Sequence, residues 1–228
     1  MPRSLAFPPN VRVVDSFDAL LATPFAGEVN AVCWARSLRG DFAALAARLA
    51  TSEPVRTVGV GELDDADDPA TATLRRDLRL LRAAGHEPSI ELVRAYPRDD
   101  DTDFPTDVQS FHVDSATMPT ETFLCTYAGA PTEGLDPRRS RRRIDDPHRR
   151  AALLARFGGS DDESFTAWLA ETHHDLHWTP DDAGAAYSFG TGNLWRLAVQ
   201  WDGCPTVACI HRAPGTTLAG APRLLLLS

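Results

Sequence analysis

The spacing of apolar residues changes near residue 89, and that change bounds the folds open to this chain. Before it, "FAALAARLA" (42–50) repeats apolar residues at helical spacing behind Asp41, a residue type that caps helices. "SFDALLAT" (16–23) shows the same spacing. "PATATLRRDLRLLRAAGHEP" (69–88) sets Leu74, Leu78 and Leu81 along one stripe, opens on Pro69 and stops at Gly85 and Pro88. "PVRTVGVGEL" (54–63) reads as a short strand or a connector. After residue 89, "SIELVRAYP", "VQSFHVDS" and "ETFLCTYAG" alternate with a period of two and are rich in β-branched and aromatic residues.

A charged stretch (136–158) and a helical "DESFTAWLAETHHDLH" (162–177) interrupt the alternation. Strands resume with "AYSFG", "LWRLAVQWDG", "TVACIHRAP" and "PRLLLLS". No repeat or long flexible linker marks a boundary. The expectation is a single α+β domain over 1–228. Its helical front would span about 1–88 and its β-rich core about 89–228, with a helical insertion at about 136–180.

Composition narrows the function. A net charge of −9 opposes binding to a polyanion, which needs a basic face, so nucleic acid is not expected as a partner. The first residues lack the apolar core of a signal peptide, and no run approaches a membrane span; a cytoplasmic, membrane-free protein is expected. Cys33, Cys125, Cys204 and Cys209 follow no framework spacing and read as reduced thiols. No Walker, GxGxxG or Gly-x-Ser-x-Gly pattern is present.

Within "SFHVDS" (110–115), strand alternation puts His112 and Asp114 on one face and Phe111, Val113 and Ser115 on the other. Two ligands two residues apart on a strand are held at a fixed distance. His211, ending the apolar run "TVACI", offers a third, which completes two histidines and a carboxylate, a set that suits non-haem Fe(II) and leaves coordination positions open. The plain alternative is a hydrogen-bonded core histidine beside a turn-capping aspartate. Arg223 opens the last strand and is of the type that clamps a carboxylate.

In this order, "HVD", "IHR" and "PRLLLL" resemble the Fe(II)/2-oxoglutarate oxygenases, whose His-x-Asp, distal His and following Arg ride on a double-stranded β-helix, a jelly-roll or cupin-like barrel. "FHVDS" followed by "LCTYAGAPTEGL" is similar, more narrowly, to a bacterial family with His-x-Asp, Thr-Tyr-x-Gly and His-Arg motifs. The likeness covers roughly 90–228 and, more weakly, the front end.

The resemblance implies iron at His112, Asp114 and His211, with 2-oxoglutarate held by Arg223 and by a hydroxyl of Tyr127 or Thr126. O2 and a small-molecule substrate would be the other reactants, and hydroxylation or a related oxidation the outcome. Asp114 fills the position that related halogenases leave to a small residue. One departure is Leu225, where many members carry Ser or Thr two residues after the arginine. Alternation turns Arg212 away from His211, so Arg223 is the preferred clamp. Two other readings stay open: an iron- and O2-dependent enzyme that does without 2-oxoglutarate, and a non-catalytic cupin-like metal-binding protein.

His173 and His177 stand i, i+4 in the helical reading, a zinc spacing, but no His-Glu-x-x-His is formed. A helix C-terminus is the simpler account; His174 and His177, with Arg212, are also candidates for the wall of a substrate pocket. Seven arginines between Arg138 and Arg150 read as a solvated insertion, or as a lid facing an anionic or amino-acid-like substrate; as a nucleic-acid patch the run has few aromatics to stack bases.

Overall fold

A computed structural model of the protein describes residues 7–64, 68–99, 103–215 and 220–228. The first six residues of the N-terminal stretch and 216–219 of the turn-rich segment before Arg223 lie outside these. The fold is α+β. In chain order the strands are β1 (Val11–Val14), β2 (Ala31–Trp34), β3 (Val55–Thr57), β4 (Ser89–Val93), β5 (Glu121–Ala128), β6 (Glu133–Leu135), β7 (Ser140–Arg142), β8 (Trp178–Pro180), β9 (Ala186–Ser188), β10 (Leu194–Ala198), β11 (His211–Arg212) and β12 (Arg223–Leu227). The helices are α1 (Phe17–Ala22), α2 (Phe42–Leu49), α3 (Pro69–Ala83), α4 (Pro147–Phe157) and α5 (Glu163–Glu171).

Seven strands form the main sheet in the order β1-β2-β10-β5-β12-β4-β3. Only the β1–β2 pair is parallel. A smaller sheet, β11-β6-β9, is extended by single bridges from His112 to both His211 and His177. The helices α2 and α3 cover one face of the main sheet. Their ends follow local chemistry: Asp41 accepts from the Ala44 N–H, and Asp68 accepts from those of Ala70 and Thr71 ahead of Pro69. The α3 stripe of Leu74, Leu78 and Leu81 is buried against Phe123, Leu224 and Leu226, at about 1.5–3 kcal/mol for each leucine. The opposite face meets the small sheet through Trp195, Leu124 and Leu197 packed on Phe189 and Cys209.

Three expectations are corrected. The front end is not simply helical: β1, β2 and β3 belong to the main sheet, and β2 is internal to it. Strands of three and four residues show too little alternation to stand out beside strong helical stripes. "SFHVDS" joins the small sheet by single bridges and not as a continuous strand. The insertion is helical only in part, because β7 and β8 pair across it. No helix among the described residues is long and apolar enough to cross a membrane.

Candidate metal centre

His112 and His211 sit opposite each other on neighbouring backbone segments and exchange both backbone hydrogen bonds at 2.9 Å. Asp114 is tied down one step further on, where its carbonyl accepts from the Gln200 N–H at 2.8 Å. These backbone links bring the three side chains together, with one ligand atom of each lying within 4.8 Å of the others. Asp114 Oδ1 is 3.8 Å from His112 Nε2 and 3.7 Å from His211 Nε2.

The tautomers follow from the neighbours. His112 Nδ1 lies 2.8 Å from the Ser110 carbonyl, and His211 Nδ1 lies 3.2 Å from the Cys209 carbonyl. A carbonyl can only accept, so each Nδ1 carries the proton and each Nε2 turns a lone pair toward Asp114. On Asp114, Oδ2 is occupied by the Thr122 hydroxyl at 2.7 Å, which leaves Oδ1 for the centre. Two imidazole nitrogens and one carboxylate oxygen converge with their other polar atoms satisfied. This donor set fits a divalent transition metal.

Electrostatics agree with that geometry. Burial, then the nearby His211, pushes His112 down to about 4. Burial alone would raise Asp114, but His211, the Thr122 hydrogen bond and His112 outweigh it and hold the carboxyl below its ordinary value. A neutral His112 imidazole facing an ionised Asp114 carboxylate is the pairing that metal ligation requires.

The three residues open onto a cavity of about 280 Å³. Its far wall carries Arg223, which is 1 % exposed and meets no carboxylate among the described residues. Arg223 donates to the Ala130 carbonyl (2.8 Å), Tyr96 Oη (2.6 Å), Thr132 Oγ1 (3.0 Å) and, more loosely, Thr126 Oγ1 (3.4 Å). Burial holds the guanidinium pKa below its usual value, against a smaller opposing effect of Tyr96. Gly129 makes the close approach possible: at φ +80°, a Cβ there would stand 2.9 Å from Arg223 Cγ.

The other site candidates are spread out. Thr126 shares the face of Thr122 and Leu124 and touches Arg223. Tyr127 does not, because alternation along β5 sends it into the helix layer, where it stacks on Phe42 and donates to Asp77 Oδ2 at 2.7 Å. Arg212 turns away as expected, pairing with Glu133 and covering the Phe111 ring. The i, i+4 pairing of His173 and His177 is absent. Helix α5 ends at Glu171, His173 is left-handed at φ 62°, and a single 3-10 turn follows.

His177 is buried 5.8 Å from the His112 ring, with Nδ1 2.6 Å from the Ser110 hydroxyl. It is not one of the clustered ligands. His174 packs near Trp168 and Phe104. Tyr96, Thr122 and Thr132 line the cavity without having been singled out in the sequence. Thr122 was within reach of strand parity, since it stands four residues before Thr126; Tyr96 and Thr132 carry no comparable signal.

Set against known protein families, curated proteins and solved structures, the chain matches none of them.

Proposed function

We propose that this chain is a non-haem Fe(II)/2-oxoglutarate-dependent oxygenase, built on a double-stranded β-helix core, that oxidises a small molecule. The observation that carries the reading is Arg223. A buried guanidinium whose acceptors among the described residues are all neutral is costly unless an anion joins it. It shares one cavity with the three convergent ligand atoms.

In this reading His112, Asp114 and His211 hold Fe(II), which when bound supplies activation of O2. Arg223 receives the far carboxylate of the 2-oxoacid. Thr132, which accepts from the guanidinium, can turn its own hydroxyl proton to the same carboxylate. It stands in for the hydroxyl lost at Leu225. Leu124, Leu225 and Leu227 line the cavity and limit water around the reacting groups. Thr122 keeps Asp114 turned to the centre.

The test is anaerobic titration of the metal-free protein with Fe(II) and then 2-oxoglutarate. A weak visible charge-transfer band, absent in His112→Ala, is the expected result. Iron binding without the band removes 2-oxoglutarate from the reading, and no iron binding at all removes the metal centre.

A further inference from the structure

Beside the metal centre lies a second cavity, and two of the arginines that line it meet no carboxylate among the described residues. Of the seven arginines between 138 and 150, four meet carboxylates: Arg138 with Asp136 and Glu28, Arg139 with Asp182, Arg141 with Asp181, and Arg150 with Asp161. Arg142 donates to the Asp175 carbonyl. Arg143 and Arg149 form no salt bridge among the described residues, and both line this one cavity together with His174 and His177. Arg143 is fixed by donating to the carbonyls of Trp178 (3.2 Å) and Pro105 (3.0 Å), while Arg149 lies over the Phe104 ring.

Two guanidinium groups drawn together under partial cover repel one another. Burial and then Arg149 lower the Arg143 pKa, and Asp107, which would raise it, is engaged with Arg98. The donor forks of two such groups match the oxygens of a carboxylate. The central space is about 10 Å³, enough for one water-sized group. That size admits a single oxygen of an anion, and a planar carboxylate can bring one there edge-on to a guanidinium. His177 forms the wall toward His112, and the 104–108 segment runs from this cavity, at Phe104 and Pro105, to the metal cavity, at Val108.

We infer that Arg143 and Arg149 form a subsite for a carboxylate end of the substrate, anchoring it beside the His112–Asp114–His211 centre. The role as a substrate anchor rests on the oxygenase reading; the anion site itself does not.

The test is an acetate titration of the full chain at constant ionic strength, followed by the ring resonance of His174, which is assigned with His174→Gln. A saturable shift is expected in the wild type. Arg149→Gln, at a side chain with no backbone contact to lose, should weaken it by about tenfold or more. Arg223→Ala, in the other cavity, should leave it unchanged. Wild-type acetate affinity in both Arg149→Gln and Arg143→Gln overturns the site, as does a response that disappears with Arg223→Ala. If the acetate response depends on Arg149 but Fe(II) and 2-oxoglutarate give no band, the anion site stands and the substrate role falls with the metal reading.

Discussion

Thr122 Oγ1 donates a 2.7 Å hydrogen bond to Asp114 Oδ2, and this contact decides which carboxylate oxygen faces the two imidazoles. A ligand oriented by a neighbour binds metal more tightly than a free one, typically by about 10–100-fold. Thr122→Val keeps the shape of the side chain and removes the donor. Its Fe(II) affinity, read by competition with a chromophoric chelator, should fall within that range. Thr122→Ser should restore most of it. An unchanged affinity in Thr122→Val would assign the hydroxyl to packing alone.

Arg223 gives a prediction in which stability and binding diverge. Its charge is buried without a counter-charge among the described residues, so the fold gains little from it. Arg223→Met should bind Fe(II) as the wild type does and lose 2-oxoglutarate affinity by about tenfold or more. The metal-free variant should unfold within about 1 kcal/mol of the wild type, or later. A loss of several kcal/mol in urea unfolding would make Arg223 a structural residue instead.

The sequence carried the site more legibly than the frame around it. His112 and Asp114 are readable because alternation holds for extended backbone even where, as here, single bridges replace a continuous strand, and His211 because it ends an apolar run. Tyr127 was a different matter: it is adjacent to Thr126, and adjacency on a strand means opposite faces, so only one of the two can reach Arg223. The front-end strands were too short to compete with the stripes of α2 and α3. The arginine run could be counted in the sequence, but which arginines lack carboxylates depends on partners as distant as Glu28 and Asp182. Long-range pairing of that kind leaves no local pattern.

Acid should destabilise the metal-free protein earlier than its carboxylates alone would require. Burial and neighbouring charge lower His112 to about 4 and His177 to about 3, while both titrate near 6.5 when unfolded. Between those values the unfolded chain binds protons that the folded chain refuses. The stability contributed by the neutral rings is therefore intact above about pH 6.5 and is lost as pH falls toward 4 and then 3. The expected slope is at most about 1.4 kcal/mol per pH unit for each histidine. Urea midpoints from pH 7 to 5 should fall, and His177→Gln should flatten the slope. A flat wild-type profile would contradict the burial of these rings.

On the far side of the main sheet, Asp77 joins three elements. Arg36 forks onto it at 2.9 and 2.6 Å, and Tyr127 donates at 2.7 Å, all beneath α3 and away from the metal cavity. Asp77→Asn leaves the Arg36 charge buried and uncompensated, at a cost of about 3–5 kcal/mol. Tyr127→Phe removes one buried hydrogen bond and should cost about 1–2 kcal/mol. The comparison that matters is binding. Because Tyr127 faces the helices, Tyr127→Phe should leave 2-oxoglutarate affinity untouched, whereas Thr132→Val, on the Arg223 side, should lower it several-fold. Equal losses of affinity in the two variants would mean that the two faces of β5 are coupled through Arg36 and Cys125, whose contact is 3.5 Å, rather than acting as separate layers.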